Sequence, residues 1–219
     1  MPKVPARVGK FIVIDGPDYC GKGTQTRRLV SYLLDHPLDR AAKGISVLAT
    51  REPTGSQYGR RIRELFATLN DPKSRGEEIA QLFLQDRRLH LEKMVIPNLE
   101  QNVHVICDRY MYSTIAYQQA QGVDLHYLID QQKTFLVPDV AIIILPSVAE
   151  IVKRKAAERN RPYDEVFEKS HAFIEQVREN YTKMKEWLPQ HNIIMIDGDR
   201  TPEAIFEDIK KLVDKVVFG

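Results

Sequence analysis

The run Phe11-Ile-Val-Ile-Asp15 leads directly into Gly16-Pro-Asp-Tyr-Cys-Gly21-Lys22-Gly23-Thr24, and an amphipathic segment follows at once. Few folds accommodate that order, which reads as a buried strand, a glycine-bracketed loop and the start of a helix. Glycines let backbone N–H groups curl around an anion, the helix N-terminus adds a favourable dipole, and a lysine here reaches outer phosphates. The segment Gly16, Pro17, Asp18, Tyr19, Cys20, Gly21, Lys22, Gly23 and Thr24 is therefore expected to hold a nucleotide's phosphates. One position departs from the usual pattern. Ser or Thr normally follows the lysine and offers its hydroxyl to Mg²⁺, whereas here Gly23 follows and the hydroxyl comes one residue later, at Thr24. Mg²⁺ is expected as the cofactor, held mostly by phosphate oxygens and water, and no protein ligand is assigned to it.

The rest of the chain repeats the alternation of short apolar runs and longer amphipathic ones. Strands are expected at Phe11–Asp15, Ile45–Ala49, Val103–Cys107, Val140–Leu145 and Ile193–Ile196. Each is nearly all apolar, as strands covered on both faces of a parallel sheet are. Helices are expected from Gly21 to Leu34, with Leu29, Val30, Leu33 and Leu34 on one face, and over 57–69, 77–96, 112–134, 147–158, 164–187 and 203–217. This order predicts one α/β domain over residues 1–219, with a five-stranded parallel sheet flanked by helices on both faces. At 219 residues the chain can bury a core without disulfides or a structural metal. Cys20 and Cys107 accordingly read as reduced, buried thiols. The formal net charge of +2 gives no reason to expect nucleic acid or a membrane surface as partner. With no signal-peptide core and no bilayer-length apolar stretch, the expectation is a cytoplasmic protein.

Two arginines stand at the expected strand ends, in Thr50-Arg51-Glu52-Pro53 and Asp108-Arg109-Tyr110. Ligands of open α/β sheets bind outside the carboxyl ends of the strands, and arginine presents paired donors suited to a phosphate monoester. Asp108 would orient an arginine or a metal-bound water. Each pair taken alone would also suit a surface ion pair. Phe83 and Arg87 are four residues apart on one helix face, where a ring can stack on a base and a guanidinium can bond its edge; a core role for Phe83 is the plainer alternative. Between the fourth and fifth strands, 153–169 is dense in charge and poor in apolar anchors, which suits either a solvated helix end or a cationic lid, about 153–165, closing over the transferred phosphate.

In order along the chain, the loop with Asp18, Thr50-Arg-Glu-Pro, Leu82-Phe83 with Arg87, Asp108-Arg-Tyr with Ser113, Thr114 and Tyr117, and the charged segment resemble thymidylate kinases over roughly residues 9–205. The resemblance implies transfer of the γ-phosphoryl group of ATP to dTMP. It further implies that Asp18 meets the sugar 3′-hydroxyl and that Arg51 and Arg109 hold the acceptor phosphate. Phe83 would stack on thymine, Arg87 would bond its O4, Ser113 and Thr114 would lie near N3, and Tyr117 would crowd the 2′ position. Arg154 would stack on adenine, leaving Arg159 or Arg161 as the transition-state cation, because the phosphate loop carries no arginine. A homodimer is implied in the same way. The ending Gly21-Lys-Gly-Thr-Gln25 is also typical of adenylate kinases, which would make AMP the acceptor, and a broader pyrimidine deoxynucleotide range is a further alternative. A nucleotide switch or ATPase would carry an Asn-Lys-x-Asp loop, and the sequence has none.

Overall fold

The computed structural model describes residues 8–35, 45–71, 73–157 and 171–219. Five parallel strands form one sheet: β1 (Phe11–Asp15), β2 (Ser46–Arg51), β3 (Val103–Asp108), β4 (Val140–Leu145) and β5 (Ile193–Asp197). Their spatial order is β2-β3-β1-β4-β5. The phosphate loop therefore leaves the central strand, between the neighbours that end at Asp108 and Leu145. Arg51 is the last residue of β2, in register with Asp108 at the end of β3. Both strands run one or two residues beyond their expected ends, which carries the polar pair onto the sheet's carboxyl edge.

Successive side chains on a strand point to opposite faces, and β1 divides the core accordingly. Ile12 and Ile14 pack with α1 (Lys22–Leu34) and the C-terminal helix (Pro202–Val217), through Leu29, Leu33, Ile205 and Ile209. Phe11 and Val13 face the larger layer, built from α2 (Gln57–Thr68), α3 (Gly76–His90) and the helices after β3. Leu34, expected on the buried face of α1, is half exposed, because the face ends at Leu33 in the helix's last turn.

Three expected helices are broken, that over 164–187 by a turn at Lys183 and two others for local reasons. The segment 77–96 becomes α3, a wider π-helical turn over Leu91–Val95, and α4 (Ile96–Glu100). Pro97 has no N–H to give to the preceding turn, and the widened turn precedes it. The segment 112–134 divides into α5 (Met111–Ala120) and α6 (Leu125–Gln132). Between them Gly122 takes φ 94°, and Asp124 caps α6 by accepting from the Tyr127 N–H. α7 (Val148–Ala157) precedes the charged segment, and α8 (His171–Thr182), α9 (Met184–Trp187) and α10 (Pro202–Val217) complete the chain. Both cysteines are buried and unpaired, and burial pushes both thiols up.

At the amino edge of the sheet the Lys10 N–H donates to His104 Nδ1 at 3.0 Å, so the ring is neutral with its proton on Nε2. Burial, aided by Lys10 and opposed by Asp139, holds its pKa below the ordinary imidazole value. His191 is lowered by burial too. An unfolded histidine takes up its proton at higher pH than these folded ones. Their contribution is thus intact above about pH 6.5 and is lost as pH falls below it. Urea midpoints should fall from about pH 7 to about pH 5, and His104→Gln should flatten that decline. An unchanged slope in the variant would remove His104 as a source.

Candidate active site

The site grows from the phosphate loop. Gly16 takes φ 140°, and a Cβ there would stand 2.3 Å from the Ile144 carbonyl oxygen, so only glycine lets the loop leave β1 against β4. Gly21, at φ 93°, is the residue before α1. Lys22 is nearly buried, and its ammonium donates to the carbonyls of Pro17 at 2.7 Å and Gly16 at 3.0 Å. A cation on the lip of a loop with inward N–H groups is placed for phosphate oxygens.

Asp15, fully buried at the end of β1, ties the loop to α5. Its carboxylate accepts from the N–H groups of Gly16, Tyr110 and Ser113, and from the Ser113 and Tyr181 hydroxyls at 2.6 and 2.8 Å. A carboxylate at a helix N-terminus satisfies donors that the helix leaves open. This fixes Arg109, which sits between β3 and α5 at φ 71°. Such a backbone angle in a non-glycine residue persists only where neighbours impose it, and it is common at functional sites. The Arg109 guanidinium donates to Ser113 Oγ at 3.0 Å and is ion-paired with Asp18. Tyr117 closes the cluster, its hydroxyl donating to Asp18 Oδ2 at 2.8 Å and accepting from the Asp18 N–H at 2.9 Å. Burial, reinforced by Asp18, raises the phenol's pKa well above its usual value, so it stays a neutral donor.

A cavity of about 1010 Å³ runs over this assembly. At one end it is lined by Arg51, Pro53, Arg63, Phe66, Phe83, Arg109, Ser113, Tyr117 and Gln118. At the other it is lined by Glu150, Lys153, Arg154, Asp199, Arg200, Thr201 and Pro202, with the phosphate loop and Asp108 between. Arg51 makes no ion pair with any described residue, which leaves its guanidinium available to a ligand. Arg154 is held by Glu150 at 2.9 Å and by the Gly198 carbonyl at 2.7 Å.

The base-side residues divide. Phe83 lines the cavity, with Phe66 tilted against it at 6.4 Å between centroids. Arg87 and Thr114, expected beside the base, lie behind that wall. Arg87 is fully buried, bonded through Nε and Nη2 to Glu52 at 2.9 and 2.7 Å, through Nη2 to Thr114 at 3.0 Å, and through Nη1 to Gln132. That leaves one of its five N–H donors uncommitted. Glu52 also meets His90 Nδ1 at 3.1 Å, so one buried carboxylate joins α3 to the segment that carries Arg51. Arg159, Arg161 and most of the charged segment lie outside the described residues.

Comparison with known proteins decides the family. The thymidylate kinase family profile matches residues 14–209. A probable thymidylate kinase of Thermococcus gammatolerans is 34% identical over 218 residues, covering 97% of this chain and 99% of its own. One of Pyrococcus horikoshii is 36% identical, covering 96% and 98%. A thymidylate kinase of Desulfotalea psychrophila is 32% identical, covering 94% and 96%. The chain belongs to the thymidylate kinase family. It is a phosphotransferase on the same grounds.

A Cβ at Gly23 would stand 3.6 Å from Arg27 Nη1 and 3.7 Å from Asp108 Oδ2, so a Ser or Thr side chain there would meet both a guanidinium and a carboxylate. No group of three or more His, Cys, Asp or Glu that could hold a metal occurs among the described residues.

Sequence reasoning missed Gln118, one turn past Thr114 on α5. It is 1% exposed and lines the cavity, and its Oε1 is buried with no partner among the described residues. Its orientation is settled by a relay. The Ser74 carbonyl accepts from Gln121 Nε2 at 3.3 Å, so Gln121 Oε1 accepts from Gln118 Nε2 at 2.9 Å. The four-residue step from Thr114 could have suggested a shared face, but nothing in the sequence marks the relay.

Proposed function

We propose that the chain transfers the γ-phosphoryl group of ATP to dTMP, giving dTDP and ADP. What carries this reading, beside family membership over nearly the full length, is that one cavity joins the phosphate loop to an arginine end walled by Phe83. A phosphate oxygen of dTMP attacks the γ-phosphorus, and the bond to the bridging oxygen of ADP breaks. Charge spreads over the moving group, so the protein's work is positioning and neutralisation. Lys22 takes the donor's outer phosphates, and Arg51 and Arg109 hold the acceptor phosphate. Asp108 would help to hold Mg²⁺ through water, and the ion would supply positive charge to the donor's phosphates. Asp18 accepts from the sugar 3′-hydroxyl. Tyr117, locked by Asp18, leaves no room for a 2′-hydroxyl. Phe83 stacks on the base, with Ser113 and Gln118 among the residues that line the cavity beside it. Arg154 takes the adenine side, and Arg159 or Arg161 supplies the remaining positive charge.

The reading is tested by acceptor-dependent ADP formation from ATP and Mg²⁺ with dTMP, dUMP, dCMP, AMP and GMP in parallel. The expected result is the highest kcat/KM with dTMP and a poor one with dCMP, whose N3 carries no proton. If AMP proves best, the Gly-Lys-Gly-Thr-Gln ending was the better guide to the acceptor. ADP release independent of any acceptor would sink the kinase reading itself.

A further inference from the structure

Arg27, on the second turn of α1, is a cation beyond Lys22 and the two acceptor arginines. It is exposed, and it lines both the main cavity and a neighbouring one of about 760 Å³ that opens beside Arg51 and Asp108. Side chains on a helix point back toward its N-terminus, and this one lies over the end of the phosphate loop. Its Nη2 meets Thr24 Oγ1 at 3.4 Å, and its Nη1 stands 3.6 Å from where a Cβ at Gly23 would be. It makes no ion pair with any described residue. Asp108 Oδ2 is 3.7 Å from the same point, yet the two groups are not paired with each other. Gly23 itself lies within α1 and has no positive φ, and both distances are ordinary contacts. Neither backbone nor space demands glycine there, although glycine weakens a helix. What the missing side chain leaves is an open approach from the guanidinium to the loop, with a carboxylate across the gap.

We propose that Arg27 is a second cation of the phosphate loop: its guanidinium contacts an outer phosphate of the donor nucleotide from the Gly23 side. A fixed charge then stands beside the place where a metal-binding hydroxyl is usual. This rests on the kinase reading, in which the loop holds ATP. A guanidinium keeps its charge at every working pH and pairs its N–H groups with phosphate oxygens. Without a divalent ion the triphosphate carries its full negative charge, so a fixed cation at its outer end counts for most. Mg²⁺ neutralises part of that charge, and the same contact then counts for less.

Calorimetric titration reads that difference. Wild type, Arg27→Met, Arg27→Lys and Arg61→Met are titrated with ATP in EDTA, with ATP in excess Mg²⁺, and with dTMP. Arg27→Met is expected to weaken metal-free ATP binding about tenfold, the scale of one charge-assisted hydrogen bond, and Mg²⁺ should reduce that loss to about threefold. Arg27→Lys should recover part of the metal-free affinity. Affinity for dTMP should stay within about twofold in Arg27→Met, since Arg51 and Arg109 serve the acceptor. Arg61 is exposed and lines neither cavity, so Arg61→Met should leave all three affinities within about twofold. Metal-free ATP binding by Arg27→Met within about twofold of wild type would overturn the proposal. A loss of dTMP affinity with ATP affinity kept would also overturn it, giving Arg27 to the acceptor. An equal loss in Arg61→Met would do the same, by reducing the effect to net charge. Each of those results leaves the kinase reading standing, whereas a wild type that binds no ATP in either condition sinks that reading and the proposal together.

Discussion

Lys22→Met is expected to lower kcat with dTMP by roughly two to three orders of magnitude, the usual loss when a preplaced positive charge is taken from a phosphoryl-transfer site. The ammonium is nearly buried and anchored by two loop carbonyls, so little reorganisation is needed when negative charge develops beside it. Methionine keeps the stem and removes the charge. The fold should hardly notice. Gly16 O also accepts from the Tyr181 hydroxyl at 3.1 Å, and Pro17 O from the Cys20 N–H at 3.4 Å, so neither carbonyl is left bare. A stability change within about 1 kcal/mol is therefore expected by urea denaturation. Steady-state kinetics decide the matter, because an interaction made mainly in the transition state lowers kcat and kcat/KM together. A kcat within about threefold of wild type would reduce Lys22 to a clasp for the loop.

Arg87→Met is expected to act on stability first, costing about 3–5 kcal/mol. Arg87 and Glu52 are both inaccessible to solvent, and removing the guanidinium leaves the carboxylate with His90 as its remaining side-chain partner. The guanidinium also covers the Tyr110 ring at 4.9 Å, a contact that methionine keeps in part. Urea midpoints with an unchanged slope would measure the loss. Two comparisons make the cause visible. Adding Glu52→Gln removes the stranded charge and should recover part of the loss. Arg61→Met breaks an exposed pair with Glu64 and should change stability by less than about 0.5 kcal/mol. If the Arg87 and Arg61 variants lose equal stability, burial is not what gives the Arg87 pair its weight.

Much of this protein is local in the chain, and that part was readable in advance. A strand, a glycine-bracketed loop and a helix start within fourteen residues of one another, so residues 11–24 carry their own geometry. The alternation of apolar runs with amphipathic stretches was enough for the parallel α/β sheet, since a strand covered on both faces must be apolar along its length. Arg51 and Arg109 were found because strand ends lie where ligands bind in such sheets.

What escaped the sequence depends on partners far apart in the chain. Asp15 reads as the last residue of a strand, yet its carboxylate organises the start of α5, almost a hundred residues on. Arg87 shares a helix face with Phe83, but the fold brings Glu52, Thr114 and Gln132 around the guanidinium and leaves the ring at the cavity. Gln25 and Gln118 look like ordinary helix residues, and only packing shows that each has one amide end fixed by a carbonyl or a relay and the other bare. Residue type and spacing determined the sheet, the phosphate loop and the family's reaction. Which charges are satisfied within the protein, and which are left for a ligand, was decided by tertiary structure, because hydrogen-bond satisfaction depends on what surrounds an atom in space and not on its neighbours along the chain.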